Sequence, residues 1–239
     1  DAFHRRLPGI DWERALTLMS KDLGREYGEA FFQDGVVHPL THTLDLAYGC
    51  FCTAAIATEI GDTTVAAQML EYASQWKNAF DKNGVLRDST YYEGSKYNYS
   101  FRLLHDMASR ISLAGGDTAF VDLLDTFFGY AADSVPAPGV SPCRTEMAEG
   151  ELLGRFEGFN NEPDMESPYA YIYAGRHDRA CEVIRAGLTQ CYGDSRGGLV
   201  GNDDSGGMSS WYVWSALGLF PVAGQDVFLI GSPLFNRAE

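Results

Sequence analysis

The sequence predicts an all-α protein, an incomplete (α/α)6-type toroid of helical hairpins with a short β segment at its C-terminus. Apolar residues recur at helical spacing through most of the 239 residues. Segments that are apolar on every side alternate with segments that keep one polar face. An inner ring of helices wrapped by an outer ring gives this pattern, because only the outer helices meet water. The short connections favour antiparallel hairpins, of which the chain can form about four.

The predicted elements follow from these apolar stripes in chain order. Asp11 is suited to cap the first helix, at residues 11–25. Residues 43–60 are apolar nearly all round and predict a buried helix, whereas residues 63–81 are amphipathic. The remaining helices are predicted at 96–114, 117–130, 164–174, 178–192 and 206–220, and a strand is predicted at 226–230.

The composition limits what this chain can bind. A formal net charge of -15 argues against nucleic acid and anionic membrane surfaces, which need faces rich in lysine and arginine. A neutral sugar or a cation is compatible with that charge. No apolar run is long enough for a membrane span. The five cysteines form no CxxC pair, which favours buried free thiols over a disulfide framework or a zinc site.

Two adjacent carboxylates, Asp203 and Asp204, stand in a glycine-rich turn directly before the aromatic helix predicted at 206–220. A core helix behind them would hold the pair rigidly, which suits a carboxylate that acts on a substrate. Aspartate before a helix is also an ordinary N-cap that accepts backbone N–H bonds. On the residues alone, both interpretations stay open.

Two further segments carry candidate chemistry. Glu93 precedes a glycine and an aromatic helix, and the tyrosines around it would partly desolvate its carboxyl group. A solvated loop glutamate is the alternative. The side-chain oxygens of Asn160, Asn161 and Glu162 cluster in a turn, and such hard ligands suit Ca²⁺ rather than zinc. Asn-Glu-Pro is equally a natural helix start, with Pro163 at the first helical position.

Three segments resemble motifs of one family, the calcium-dependent exo-α-mannosidases of glycoside hydrolase family 92. The most specific is GNDDSGGMSSWYVWSALGLFPV at residues 201–222, followed by IGSPLF at residues 230–235. GFNNEPD at residues 158–164 is similar to a second motif, and Glu93 with its glycine and aromatic neighbours to a third. Lysine and tyrosine at residues 96–97 depart from the family, which often has tryptophan there. The resemblance covers most of the chain.

The resemblance implies hydrolysis of terminal α-linked mannose, of the α-1,2 type, with inversion at the anomeric carbon. It implies that Glu93 is the general acid and that Asp204, with Asp203 as a helper, is the general base. The cofactor that it implies is Ca²⁺, bound by Asn161, Glu162 and Asp204. The implied substrate contacts are Phe159, Asn160 and Asn202.

The resemblance also implies that residues 1–239 are a segment of the family's catalytic barrel, without its N-terminal β-sandwich. That sandwich would be the partner domain that completes the site. Mannose-containing glycans would be the substrates, and a secreted, periplasmic or cell-surface location would follow. Two alternatives stay open: another inverting (α/α)-barrel glycosidase, and a catalytically inert sugar-binding or structural fragment.

Overall fold

The computed structural model describes residues 2–25, 27–87, 91, 94–130, 159 and 161–239. These residues are mostly helical, with one small two-stranded sheet. The chain divides into two compact units. The first contains Asp1–Glu93, Leu104–Asp106 and Ala223–Asp226, and the second contains Gly94–Leu103, Met107–Val222 and Val227–Glu239.

The first unit is helical and is organised around one long buried helix. Its helices are α1 (Trp12–Asp22), α2 (Gly28–Asp34), α3 (Leu40–Ile60) and α4 (Thr63–Ala73), and a 3-10 helix (Ser74–Ala79) follows α4. The Asp11 side chain accepts a hydrogen bond of 3.0 Å from the backbone N–H of Arg14, which confirms the predicted cap. Helix α3 packs against α1 and α4, and Leu16, Ala57 and Ala66 form a buried cluster.

Two details of the first unit differ from the sequence prediction. The helix predicted at 63–81 ends at Ala73 and continues as the 3-10 helix, so the predicted single helix is wrong. Helix α2 was not predicted, because it is short and begins at a glycine. A Cβ atom at Gly28 would lie 1.7 Å from the backbone oxygen of Leu23, so the close approach of the two backbones requires glycine there.

The second unit contains six helices and the two strands among its described residues. They are α5 (Lys96–Ser100), α6 (Met107–Leu113), α7 (Asp117–Phe127), α8 (Pro163–Tyr173), α9 (His177–Gln190), a 3-10 helix (Asp204–Gly206), α10 (Gly207–Leu217), β1 (Leu219–Pro221) and β2 (Phe228–Ile230). The strands pair antiparallel, with Phe220 opposite Leu229. The bounds of helices α7 to α10 agree with the predicted ranges to within three residues, and only β2 was predicted of the two strands.

The single helix predicted at 96–114 is wrong, because the structure has α5 and α6 separated by residues 101–106. Phe101 has left the helical region, with φ −108° and ψ 16°. The backbone N–H of Leu103 donates instead to Glu166 Oε2 of α8, at 2.9 Å. A hydrogen bond to α8 thus replaces the continuation of the local helix.

Aromatic rings fill much of the interior of the second unit, and a partly buried arginine packs beside one of them. Phe101 contacts Phe127 with ring centroids 5.0 Å apart. The guanidinium of Arg179 lies 3.8 Å from the ring centroid of Tyr130 and pairs with Glu182 at 2.9 Å. Within the described residues, no helix is both long and apolar enough to cross a membrane.

Candidate active site

The first turn of α8 is tied to the helix that follows the predicted Glu93-Gly94 site. Asn98 of α5 donates from Nδ2 to Asp164 Oδ1 at 3.0 Å, and both side chains are buried. The same Asn98 closes a capping box with Ser95, which fixes the start of α5 one residue after Gly94. The backbone that leaves the predicted acid site is therefore anchored to α8.

Helix α10 is also held against α8. The indole Nε1 of Trp211 donates to the backbone oxygen of Met165 at 2.9 Å in a buried position. Further along the two helices, the hydroxyls of Tyr169 and Ser215 lie 2.7 Å apart. Burial raises the pKa of Tyr169, so its phenol stays protonated and can donate this hydrogen bond. These contacts fix α10 along α8.

The contact between α8 and α10 brings two predicted site segments together. A Cβ atom at Gly207, the first residue of α10, would lie only 3.1 Å from Glu162 Oε1. The Glu162 carboxylate, at the start of α8, thus lies against the start of α10. The acidic turn with Asp203 and Asp204 immediately precedes Gly207. The structure therefore places the Glu162 carboxylate beside the first residue of the helix that the acidic turn precedes.

Asp203 is fixed by hydrogen bonds within the acidic turn. Its Oδ1 accepts from the backbone N–H of Ser209 at 2.8 Å, and its Oδ2 lies 3.1 Å from the donating Ser209 hydroxyl. Asp203 and Ser205 have φ angles of 50° and 52°, in the left-handed region that is uncommon for residues other than glycine. Such conformations cluster at functional sites and persist only where surrounding contacts enforce them. Asp203 thus accepts a backbone N–H of the first turn of α10, as the capping interpretation expects, although the N-cap residue of α10 is Gly206.

The side chain of Asp204 has different surroundings from that of Asp203. Its side chain is exposed, and within the described part of the chain its carboxylate makes no hydrogen bond. Asn202, on the other side of Asp203, is exposed as well. The turn thus fixes one carboxylate and presents the other to solvent.

Phe159 lies in the core beside the site. Its side chain is 1% exposed, and its ring stacks on Trp211 with centroids 4.8 Å apart. The ring packs over Gly187 of α9, where a Cβ atom would approach it to 2.7 Å. This burial favours a packing role over the predicted contact with sugar. The predicted acid Glu93 and the predicted sugar contact Asn160 lie outside the described residues.

The side chains around the start of α8 fit part of a site for a hard cation. Glu162 Oε1 is buried and has no hydrogen-bond partner among the residues that the structure describes, although a buried carboxylate oxygen normally has one. Asn161 Oδ1 accepts from the backbone N–H of Glu162 at 3.1 Å, which orients the amide. Both are oxygen donors, as Ca²⁺ prefers. In the described ranges, no group of three or more His, Cys, Asp and Glu side chains could hold a metal ion, so a complete ligand set is not described.

Three residues of the site were not predicted from the sequence: Asn98, Asp164 and Ser209. Ser209 is the third residue of α10. Its position shortly after an aspartate, in the first turn of a helix, could have indicated that Ser209 donates a hydrogen bond to that aspartate. Asn98 and Asp164 are 66 positions apart, and no local pattern relates them.

Comparison with known families decides the identity of the chain. The model of the glycosyl hydrolase family 92 catalytic domain matches residues 83–239, more than half of the chain. The chain belongs to glycoside hydrolase family 92. The resemblance of the three motifs is thereby confirmed at the level of the family.

Solved structures of family 92 enzymes share the fold. A family 92 inverting mannosidase of Bacteroides thetaiotaomicron is similar with a TM-score of 0.80 and 25% identity, over 98% of this chain and 36% of that one. A family 92 α-mannosidase of the same organism, in complex with mannoimidazole, has a TM-score of 0.78 and 23% identity, over 97% of this chain and 34% of that one. The predicted fold class, an all-α domain of the (α/α) type with a short β segment, is confirmed.

A curated relative has a similar sequence. An uncharacterized secreted glycosidase of Arthroderma benhamiae is 32% identical over 148 residues, which are 62% of this chain and 16% of that protein. The family 92 chain thus spans about a third of the solved structures cited above and a smaller share of this relative.

Proposed function

We propose that this protein is an inverting α-mannosidase that removes terminal α-linked mannose from glycans. The observation that carries the proposal is the acidic turn, where Asp203 is held by Ser209 while Asp204 is exposed and without a hydrogen bond to a described residue. Membership of family 92 supports this activity, as do the similar structures named as mannosidases, one of them inverting.

Asp204 is the general base in this proposal. An inverting glycosidase needs one carboxylate that takes a proton from the attacking water and one carboxylic acid, roughly 6.5 to 9.5 Å away, that protonates the leaving oxygen. Asp204 has both oxygens available for a water molecule. Asp203 uses both of its oxygens on Ser209, so we assign its helper role to holding the turn.

Glu93 is the general acid in this proposal. It precedes Gly94, and the helix that begins at Lys96 is anchored to α8 by the bond between Asn98 and Asp164. Tyrosines on either side in the sequence would favour its protonated form by desolvation.

We propose Ca²⁺ as the cofactor, held by Asn161 and Glu162. The buried oxygen of Glu162, which has no hydrogen-bond partner in the described part of the chain, supports this proposal, because a cation would satisfy it. When bound, the cation supplies positive charge and orientation to sugar hydroxyls. We assign Asp204 to the base role alone, because a carboxylate bound to a divalent cation is a weaker base. Asn202, and Asn160 beside the metal ligands, would contact sugar hydroxyls.

The finer assignments are an α-1,2 linkage preference and export from the cell. The first rests on the family resemblance of the motifs alone. The second is supported by the relative that is described as a secreted glycosidase.

The test is proton NMR of α-1,2-mannobiose during hydrolysis. The anomeric signal of β-mannose is expected first, followed by slow conversion to the equilibrium mixture. Initial release of α-mannose would show retention and overturn the mechanism. Hydrolysis of other glycosides but not of mannosides would support a different (α/α)-barrel glycosidase. Mannobiose binding without any hydrolysis would support the inert sugar-binding alternative.

A further inference from the structure

A cavity of about 480 Å³ opens on the second unit between the end of α9 and the outer face of α10. Its volume lies within the range of small-ligand sites in proteins. The lining residues used below are Tyr192, Asp194, Leu199, Ser209, Tyr212 and Val213. None of these residues has a role in the function proposed above except Ser209.

The tyrosine wall of the cavity is fixed by contacts with α10. The Tyr192 hydroxyl donates to the backbone oxygen of Met208 at 3.2 Å, and its ring is nearly parallel to Trp211, with an interplanar angle of 18°. Burial raises the pKa of Tyr192, so the phenol keeps the proton that it donates. The ring of Tyr212 lies 5.1 Å from that of Tyr192. Two aromatic side chains are thus held in place before any ligand arrives.

Another part of the lining is a tight glycine turn. The N–H of Gly193 donates to the oxygen of Gly198 at 2.9 Å, and Gly198 in turn donates to Ser195 at 3.0 Å. A Cβ atom at Gly198 would lie 2.0 Å from the oxygen of Gly193, so the turn requires glycine at that position. Asp194, in this turn, is exposed and makes no hydrogen bond to the residues that the structure describes. The cavity therefore combines a rigid apolar wall with a free carboxylate.

Ser209 joins this cavity to the acidic turn. Its side chain lines the cavity and also donates to Asp203, the neighbour of the proposed base Asp204. We propose that the cavity binds a second, uncleaved sugar ring of the glycan. The inference rests on the proposed function and names an additional subsite for its substrate.

The chemistry of the lining favours an uncharged pyranose over other ligands. The faces of Tyr192 and Tyr212 suit the C–H face of a sugar ring, and Asp194 can accept hydrogen bonds from its hydroxyls. An anionic ligand is disfavoured, because Asp194 lines the cavity and the chain carries a net charge of -15. A sugar bound here would gain apolar contact from Leu199 and Val213, which are 47% and 55% exposed.

The experiment compares a substrate with one sugar ring, methyl α-mannoside, and an α-linked mannotriose. Tyr212→Ala and Asp194→Asn are tested beside the wild type. Phe235→Ala removes an aromatic side chain that is 52% exposed and does not line the cavity, so it serves as the matched control. For mannotriose we expect kcat/KM to fall about tenfold in Tyr212→Ala and less in Asp194→Asn, in the range for a lost pocket contact. Methyl mannoside kinetics should stay at the wild-type value in all three variants.

The outcomes separate this inference from the proposed function. Equal losses for both substrates in Asp194→Asn, or no loss for mannotriose in either cavity variant, would overturn the subsite. If the wild type hydrolyses neither substrate, the proposed function fails. Mannotriose binding is then measured directly, by the broadening of its NMR lines. Binding that Tyr212→Ala and Asp194→Asn weaken, but Phe235→Ala does not, upholds the sugar site. Binding that all variants keep, or no binding by the wild type, overturns it.

Discussion

Asp203 and Asp204 are adjacent in the chain, but their side chains have different surroundings. Asp203 accepts two hydrogen bonds from Ser209, whereas Asp204 is exposed and makes none to the described residues. The left-handed conformations of Asp203 and Ser205 produce this difference, because they turn successive side chains in different directions. At the scale of the residue, the backbone of the turn separates the role of a cap from the role of a base.

Replacing Asp204 with asparagine should therefore remove activity without destabilising the fold. An amide cannot take a proton from water, so we expect kcat to fall by about 10² to 10⁴. The midpoint of thermal unfolding should stay at the wild-type value. Asp203→Asn is the matched comparison, because it loses the hydrogen bond from the Ser209 hydroxyl and should cost about 0.5 to 1.5 kcal/mol of unfolding free energy. A wild-type rate in Asp204→Asn would contradict the base assignment.

The acid side of the mechanism is tested at Glu93. Glu93→Gln should lower kcat strongly for mannobiose, whose leaving hydroxyl needs protonation, and less for activated aryl mannosides. Steady-state rates with both substrates give the comparison. Equal losses for the two would exclude Glu93 as the proton donor.

Asp178 gives a pH-dependent contribution to stability that can be measured. Two hydrogen bonds from Arg176, at 2.7 and 2.9 Å, lower the pKa of Asp178 from 3.8 to about 2. A carboxyl group whose pKa is lower in the folded than in the unfolded state stabilises the fold at pH values above the unfolded-state pKa. That stabilisation is lost as the pH falls toward the folded pKa.

We therefore expect the unfolding free energies of wild type and Asp178→Asn to differ at pH 6 and to converge near pH 2. Because the pair is exposed to solvent, the difference should be at most about 1 kcal/mol. Denaturant titrations at both pH values measure it. A gap that widens on acidification would contradict the assigned direction.

At the scale of the element, α8, α9 and α10 hold the site through a few close contacts. Trp211 stacks on Phe159 and donates to Met165 of α8, while Gly187 of α9 leaves the space that the Phe159 ring occupies. Glycine inside a helix is normally unfavourable by about 1 kcal/mol relative to alanine. At this position the close contact outweighs helix propensity, and the glycine is needed for packing.

Gly187→Ala should therefore destabilise the protein despite the better helix propensity of alanine. The added Cβ would lie 2.7 Å from the Phe159 ring and 3.1 Å from Trp211, and overpacking of this kind costs about 1 to 3 kcal/mol. Chemical denaturation gives the change in unfolding free energy. Gly197→Ala is the control, because nothing lies within 4 Å of its Cβ position. Stabilisation of the Gly187 variant would mean that the ring can move aside.

At the scale of the whole molecule, the net charge of -15 favours association with cations and disfavours anionic partners.

We expect the activity of the whole protein to be lost in excess EGTA and restored by added Ca²⁺. The reason is that the proposed ligands Asn161 and Glu162 offer oxygen atoms and no soft ligand atom. Hydrolysis rates before and after chelation provide the measurement, with Glu162→Gln as the variant that should need more Ca²⁺. Full activity in EGTA would exclude the calcium role.

The sequence by itself determined most of the helices, the resemblance to the family and the position of the acidic turn. Helices such as α1 and α9 are recognisable because their apolar periodicity comes from neighbours three and four residues apart. The cap at Asp11 is equally local. The aspartate pair before α10 stood out because glycines and carboxylates at a helix start are a local pattern too.

Only the tertiary structure decided which residue of each local pattern takes part in the site. The helix predicted at 96–114 is interrupted because Glu166 binds the backbone of Leu103, 63 positions away. Phe159 is buried by Trp211 and Gly187, and Asn98 meets Asp164, through contacts that no short window of sequence contains. The difference between Asp203 and Asp204 depends on backbone angles that glycine-rich sequence permits but does not specify. Local propensity fixes the elements, whereas contacts between distant residues fix the directions of the side chains that act.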